Sequence, residues 1–160
     1  MAVFLAGCAG YRLGPVNSGV QAGAQSIEVL PFANQTLQPR LGSAVAQALR
    51  EQLQTDGTYR LATHRAGDVV MTGTITSYGR AAVSFLSIDV ATPEDYRIDV
   101  SAHVVVREHD TGKPLLDKNV RGETLVHVSS DLESAERQAL PLLAQDLARN
   151  ITELLTEGGW

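Results

Sequence analysis

The chain divides by the period of its apolar positions. The segment Ser26-Ile27-Glu28-Val29-Leu30-Pro31-Phe32 is short, apolar and β-branched, and it stops at a proline followed by Asn34, which predicts a first strand. Leu41, Val45, Ala48, Leu49 and Leu53 then recur at helical spacing. Pro39 falls where a first helical turn tolerates a missing N–H, and Asp56-Gly57 ends the run. From Asp68 the period changes to two. Val69, Met71, Gly73 and Ile75 alternate with Val70, Thr72, Thr74 and Thr76, giving a strand with one apolar and one hydroxyl-rich face. Tyr96, Ile98, Val100, Ala102, Val104 and Val106 alternate with Arg97, Asp99, Ser101, His103, Val105 and Arg107 in the clearest strand pattern of the chain. Asp110-Thr111-Gly112-Lys113 supplies a turn, so a strand from about Leu115 to Val128 should return as a hairpin partner, with Val120, Thr124, Val126 and Val128 on one face and Arg121, Glu123 and His127 on the other.

The closing element is a long helix. Ser130-Asp131-Leu132-Glu133 reads as a capping box in which the Ser130 hydroxyl and the Glu133 carboxylate satisfy free N–H groups. Leu132, Ala135, Ala139, Leu143, Leu147, Ile151 and Leu155 form its apolar stripe, widened by Leu140 and Leu154. Pro141 should kink it, and Gly158-Gly159 end it. The order β-α-β-β-β-α predicts an α+β domain, with two helices packed on one face of a four-stranded, mainly antiparallel sheet. The apolar run Ala81 to Val90 stands between two of the strands. Either it prolongs both and joins the core, or Phe85, Leu86 and Ile88 form an exposed patch for an apolar partner.

Length and charge narrow the reading. A 160-residue chain that is 44% hydrophobic fits one domain, placed here at 26–160. With 13 Lys plus Arg against 18 Asp plus Glu the net charge is -5, which speaks against nucleic acid as a partner. A single cysteine leaves no intramolecular disulfide and no cysteine-rich zinc site. That cysteine closes Leu5-Ala6-Gly7-Cys8, which resembles a bacterial lipobox, with small residues before a thiol that accepts a diacylglyceryl group. Residues 1–8 read as a truncated lipoprotein signal, since no Lys or Arg precedes Cys8, and 9–25 as a Gly/Ala/Ser-rich tether. Ala9 stands where an aspartate would resemble an inner-membrane retention signal, so the periplasmic face of the outer membrane is the expected site of lipid anchoring.

Chemistry is harder to find. His64, His103, His109 and His127 have no metal-ligand spacing, and His103 and His127 read as a solvated sheet surface, so no metal is expected. No G-x-S-x-G turn or phosphate loop occurs. Glu94-Asp95 reads as a loop and Glu133/Glu136 as a helical solvent face rather than as acid–base pairs. The expectation is a protein with no catalytic residues and no cofactor beyond the acyl lipid on Cys8. Trp160 is expected to fold back on the core.

Cys8 with Gly10-Tyr11-Arg12-Leu13, then Ile27-Glu28-Val29-Leu30-Pro31-Phe32-Ala33-Asn34-Gln35-Thr36, Gly57-Thr58-Tyr59-Arg60-Leu61, Gly67 to Ile75, Tyr96 to Val100, Asp110-Thr111-Gly112 and Gly158-Gly159-Trp160 resemble, in order, the LptE-like lipopolysaccharide-assembly lipoproteins. Val29 to Asn34 alone is also similar to lipoproteins of curli secretion and of penicillin-binding-protein activation. The first resemblance implies a plug for the lumen of the outer-membrane β-barrel LptD that helps place lipopolysaccharide in the outer leaflet. Cations able to meet lipid A phosphates would then be Arg97, Arg107, Lys118 and Arg121. The competing readings are a periplasmic activator of a cell-wall synthase and an accessory lipoprotein of a secretion channel.

Overall fold

The structure is a computed structural model that describes residues 25–64, 66–86, 88 and onward to 128, and 131–157, with the side chains of Leu86 and residues 89–92 left out. The lipobox, the tether, Ser130 and Trp160, and what was expected of each, lie outside the described residues.

Among the described residues the elements are β1 (Ser26–Val29), β2 (Ala33–Asn34), α1 (Leu41–Asp56), β3 (Arg60–Leu61), β4 (Val69–Leu86), β5 (Asp89–Glu108), β6 (Pro114–His127) and α2 (Leu132–Glu157). The sheet order is β3-β1-β4-β5-β6, with β2 alongside β4. The α+β class agrees with the expectation, and the sheet gains two strands of two residues each. β4, β5 and β6 run antiparallel, while β1, through the α1 crossover, joins β4 in parallel, with Ile27 opposite Val69 and Val29 opposite Met71. A parallel pair needs such a crossover, whereas β5 and β6 need only a turn. There Gly112 takes the left-handed φ of 69°, and its N–H bonds to the Glu108 carbonyl at 3.0 Å.

Both helices share one core with one face of this sheet. Ile27, Met71, Ile75, Ile98 and Val104 from the strands and Leu49, Leu53, Leu143, Leu147 and Ile151 from the helices are buried together. The approach of α2 is set at Gly122, where a Cβ would lie 2.7 Å from the backbone nitrogen of Leu147. Any side chain there would push the helix off the strand. At the other end of the layer the Phe32 ring covers Gly73, whose Cβ would come within 2.0 Å of it.

Several local expectations are corrected. Pro39 lies in the turn before α1, and the helix starts after Arg40, which holds a left-handed φ of 63°, although it ends as expected at Gly57, φ 75°. The cap expected from Ser130 lies outside the described residues; at the same end of α2, Asp131 Oδ1 accepts the Ser134 N–H at 2.7 Å. Leu154 was expected in the stripe but is 39% exposed, because α2 buries a narrower stripe against α1 and β6. Glu94 and Asp95 belong to β5, not to a loop. Glu136 does not face solvent; it is buried.

Candidate functional site

The helices cover one face of the sheet and leave the other open. Along β5, Ile98, Val100, Ala102, Val104 and Val106 point into the core, so Arg97, Asp99, Ser101, His103, Val105 and Arg107 project from the opposite face. β4 contributes Thr72, Thr74 and Thr76, and β6 contributes Asn119, Arg121 and Glu123. Two polar contacts tie side chains on this face together. His103 Nε2 lies 2.8 Å from Asp117 Oδ1, and Arg121 Nη2 lies 3.6 Å from Asp99 Oδ2. The face therefore offers hydroxyls, an amide and charged side chains in a single layer.

The cations singled out from the sequence are spread rather than clustered. Arg97, Arg107 and Arg121 are exposed on the open face. Arg97 and Arg107 are separated by about 34 Å along β5 at the antiparallel rise per residue. Arg121 stands opposite Ser101, between them. Lys118 stands opposite Val104 and so belongs to the helix-side face, exposed on the edge strand. Arg107 Nη1 donates to the Gly112 carbonyl at 3.3 Å, while Arg97 has no polar partner among the described residues.

The β4–β5 hairpin continues beyond the helices. Both strands are prolonged, as one reading of the Ala81–Val90 run required, but the run does not enter the core. Val83, Phe85 and Ile88 are 40%, 48% and 95% exposed. The side chain of Leu86 lies outside the described set. Two side-chain clusters brace the hairpin. On the helix side, Arg80 Nη1 donates to Glu136 Oε1 of α2 at 2.6 Å. This bond and the charge behind it raise the Arg80 pKa further. The nearby Tyr78 hydroxyl is buried without a hydrogen-bond partner among the described residues, and burial, then the Glu136 charge, raises its pKa. On the open side, Asp95 accepts the Ser84 hydroxyl at 2.5 Å and meets His127 Nδ1 at 2.9 Å. Both contacts, Ser84 first, hold its carboxyl below the ordinary range. Asp95 stands between Ser84 and His127, so the imidazole cannot take the serine proton. The trio joins strands and does not build a nucleophile.

Sequence reading missed Glu136 and Asp95. A signal for the first existed: Glu136 falls on the apolar stripe, four residues after Leu132 and three before Ala139, where a carboxylate requires a partner. No comparable signal marks Asp95, whose partners come from two other strands.

Beside the β6 edge a shallow groove of about 280 Å³ is lined by Leu125, His127, Asp131, Gln138 and Leu142. No group of three or more His, Cys, Asp or Glu that could hold a metal ion occurs among the described residues, and no described helix is long and apolar enough to cross a membrane.

This small α+β domain, with one covered and one open sheet face, is a fold shared by several bacterial proteins of known structure. It superposes on a Xanthomonas campestris protein with a TM-score of 0.62 at 10% identity, covering 92% of each chain. A Caulobacter crescentus protein described as a candidate lipoprotein gives 0.57 at 12% identity over 82% of this chain and 88% of its own. A PelC dodecamer subunit from Paraburkholderia phytofirmans gives 0.50 at 14% identity over 86% of this chain and 92% of its own. At these identities the likeness is one of fold. A comparison with curated proteins finds none that matches. The model of the LptE lipopolysaccharide-assembly family matches residues 24–155, and the chain belongs to that family. It is thus an LptE-type lipoprotein of lipopolysaccharide assembly, from a family of outer-membrane-associated accessory proteins.

Proposed function

We propose that this protein is lipid-anchored through Cys8 at the periplasmic face of the outer membrane, plugs the lumen of the barrel LptD and assists lipopolysaccharide assembly without catalysing a reaction. The observation that carries this reading is the open polar face of β4, β5 and β6, on strands of 18, 20 and 14 residues. At about 3.3 Å per residue the longest extends roughly 65 Å, about twice the hydrocarbon thickness of a bilayer. A face of hydroxyls and charged side chains suits the polar interior of a wide barrel. Arg97, Arg107 and Arg121 on that face, with Lys118 at the sheet edge, are the candidate contacts to lipopolysaccharide phosphates.

Co-expression with the barrel tests the plug. The complex should survive purification, and crosslinkers placed at Thr74 or Asn119 should react with the barrel interior. Failure to co-purify would end the plug reading. Replacing the four cations together by Gln should lower lipopolysaccharide binding severalfold with the unfolding midpoint retained. Unchanged binding would remove them as contacts.

A further inference from the structure

Sheet edges carry unpaired backbone N–H and C=O groups, and helix side chains meet some of them here. On β6, Asp146 accepts the Glu123 N–H at 2.9 Å and Asn150 donates to the Arg121 carbonyl at 2.8 Å. On β1, Arg50 donates to the Val29 carbonyl at 2.8 Å. The outer edge of β4 differs along its length. Its first half is occupied, with the carbonyls of Met71 and Ile75 accepting from the N–H groups of Leu30 and Gln35 at 3.0 Å.

Met71 and Ile75 present their side chains to the helix side while turning their backbone groups outward. In an L-polypeptide strand, direction and side-chain face together decide which way the backbone groups point. A bulge between Ile75 and Ser77 shifts the alternation, after which Tyr78, Arg80 and Ala82 occupy the helix-side positions opposite Val100, Ile98 and Tyr96. Their N–H and C=O groups therefore face outward, and no described residue pairs with them. Arg80 is the charge that could guard this edge, but its guanidinium is tied to Glu136. Exposed Val83 and Phe85 follow immediately.

We propose that the bare β4 edge from Tyr78 to Ala82 receives an extended segment of the barrel partner as an added strand. This rests on the plug reading. An unpaired edge with outward groups at every second residue is satisfied by another extended backbone. A second copy of this chain fits less well. The run is bounded by bulges at Ile75/Ser77 and Ala82/Ser84, and so short a pairing falls far below the roughly 1,200 Å² of a stable independent interface. As an addition to a barrel wall already enclosing the sheet, the same short pairing is sufficient. Because the strands of a closed barrel have no free edge, the segment comes from a loop or an inward-folded stretch of the partner.

The test uses the full chain, alone and in the purified complex with the barrel, followed by hydrogen exchange. The amides of Tyr78, Arg80 and Ala82 should exchange at least about tenfold more slowly in the complex. Ala82→Pro removes an outward N–H and leaves the β5 ladder intact, so it should weaken the complex by about tenfold or more without lowering the unfolding midpoint. If the proline unfolds the chain, the exchange of the unaltered complex still decides. A complex in which these amides exchange as fast as in the free chain overturns strand addition and leaves the plug reading standing. Failure to form a complex overturns both. Protection in the chain alone that grows with its concentration assigns the edge to a second copy and overturns the proposal.

Discussion

From Val69 to Ile75, β4 has β1 and β2 on one side and β5 on the other, and Val69, Met71 and Ile75 are fully buried. From Ser77 to Leu86 its described pairing is to β5 alone, its register slips at bulges, and Val83 and Phe85 stand exposed. One strand thus serves two purposes. The first half belongs to the core and derives its stability from apolar burial, while the second is held by directional polar contacts to α2 and β6. The difference teaches that the projecting half leans on the core chiefly at its base, through Tyr78, while its far end is fixed by its neighbours in the sheet.

The largest effects should come from truncations that test this asymmetry directly. Leu147→Ala in the core should cost about 2–5 kcal/mol in urea unfolding, whereas Phe85→Ala on the hairpin should fall within about 0.5 kcal/mol. Comparable losses at both sites would show that the hairpin tip is part of the core. Next is Gly122→Ala, which forces α2 away from β6 at the Leu147 backbone and should cost about 1–3 kcal/mol. Glu136→Ala should be milder, about 1 kcal/mol, since Arg80 is half exposed and water can take over part of its hydration. Its sharper signature is faster amide exchange confined to residues 77–86.

The smallest effect is a pH dependence. The Asp95 carboxyl is depressed by Ser84 and His127, so its contribution to hairpin stability is complete above its unfolded value of about 3.9. It is lost as pH falls through the lower folded value. Hairpin amides should therefore exchange faster on acidification below about pH 4, and Asp95→Asn should remove that dependence. A variant that kept the full acid response would assign it elsewhere, for example to Asp68, depressed in the same way by the Ser26 backbone and hydroxyl.

Much of this architecture was legible in the residues. The alternation along Tyr96 to Arg107 predicted both β5 and its two faces, because an apolar core and a polar surface impose opposite demands on successive side chains. Asp110 to Lys113 predicted the hairpin, since a left-handed glycine is what the turn requires. The two-residue strands β2 and β3 were not legible. Segments so short carry no periodicity and become strands only because β4 and β1 lie beside them. The brace at Glu136 was legible in part, as a charge on an apolar stripe, but its partner Arg80 lies 56 residues away in sequence.

By itself the sequence determined the two helices, the three long strands, the sheet face that meets the helices and the family to which the chain belongs. These follow from local periodicity and short motifs, which depend on neighbours a few residues apart. Tertiary structure alone decided which carboxylates are braces, how far the cations stand from one another, and which edges are closed. Each of those depends on groups brought together from distant parts of the chain, and no periodicity records them. The bare stretch of β4 is the clearest case: nothing in Tyr78-Gly79-Arg80-Ala81-Ala82 marks an edge, and only the place where β2 stops leaves their backbone without a partner among the described residues.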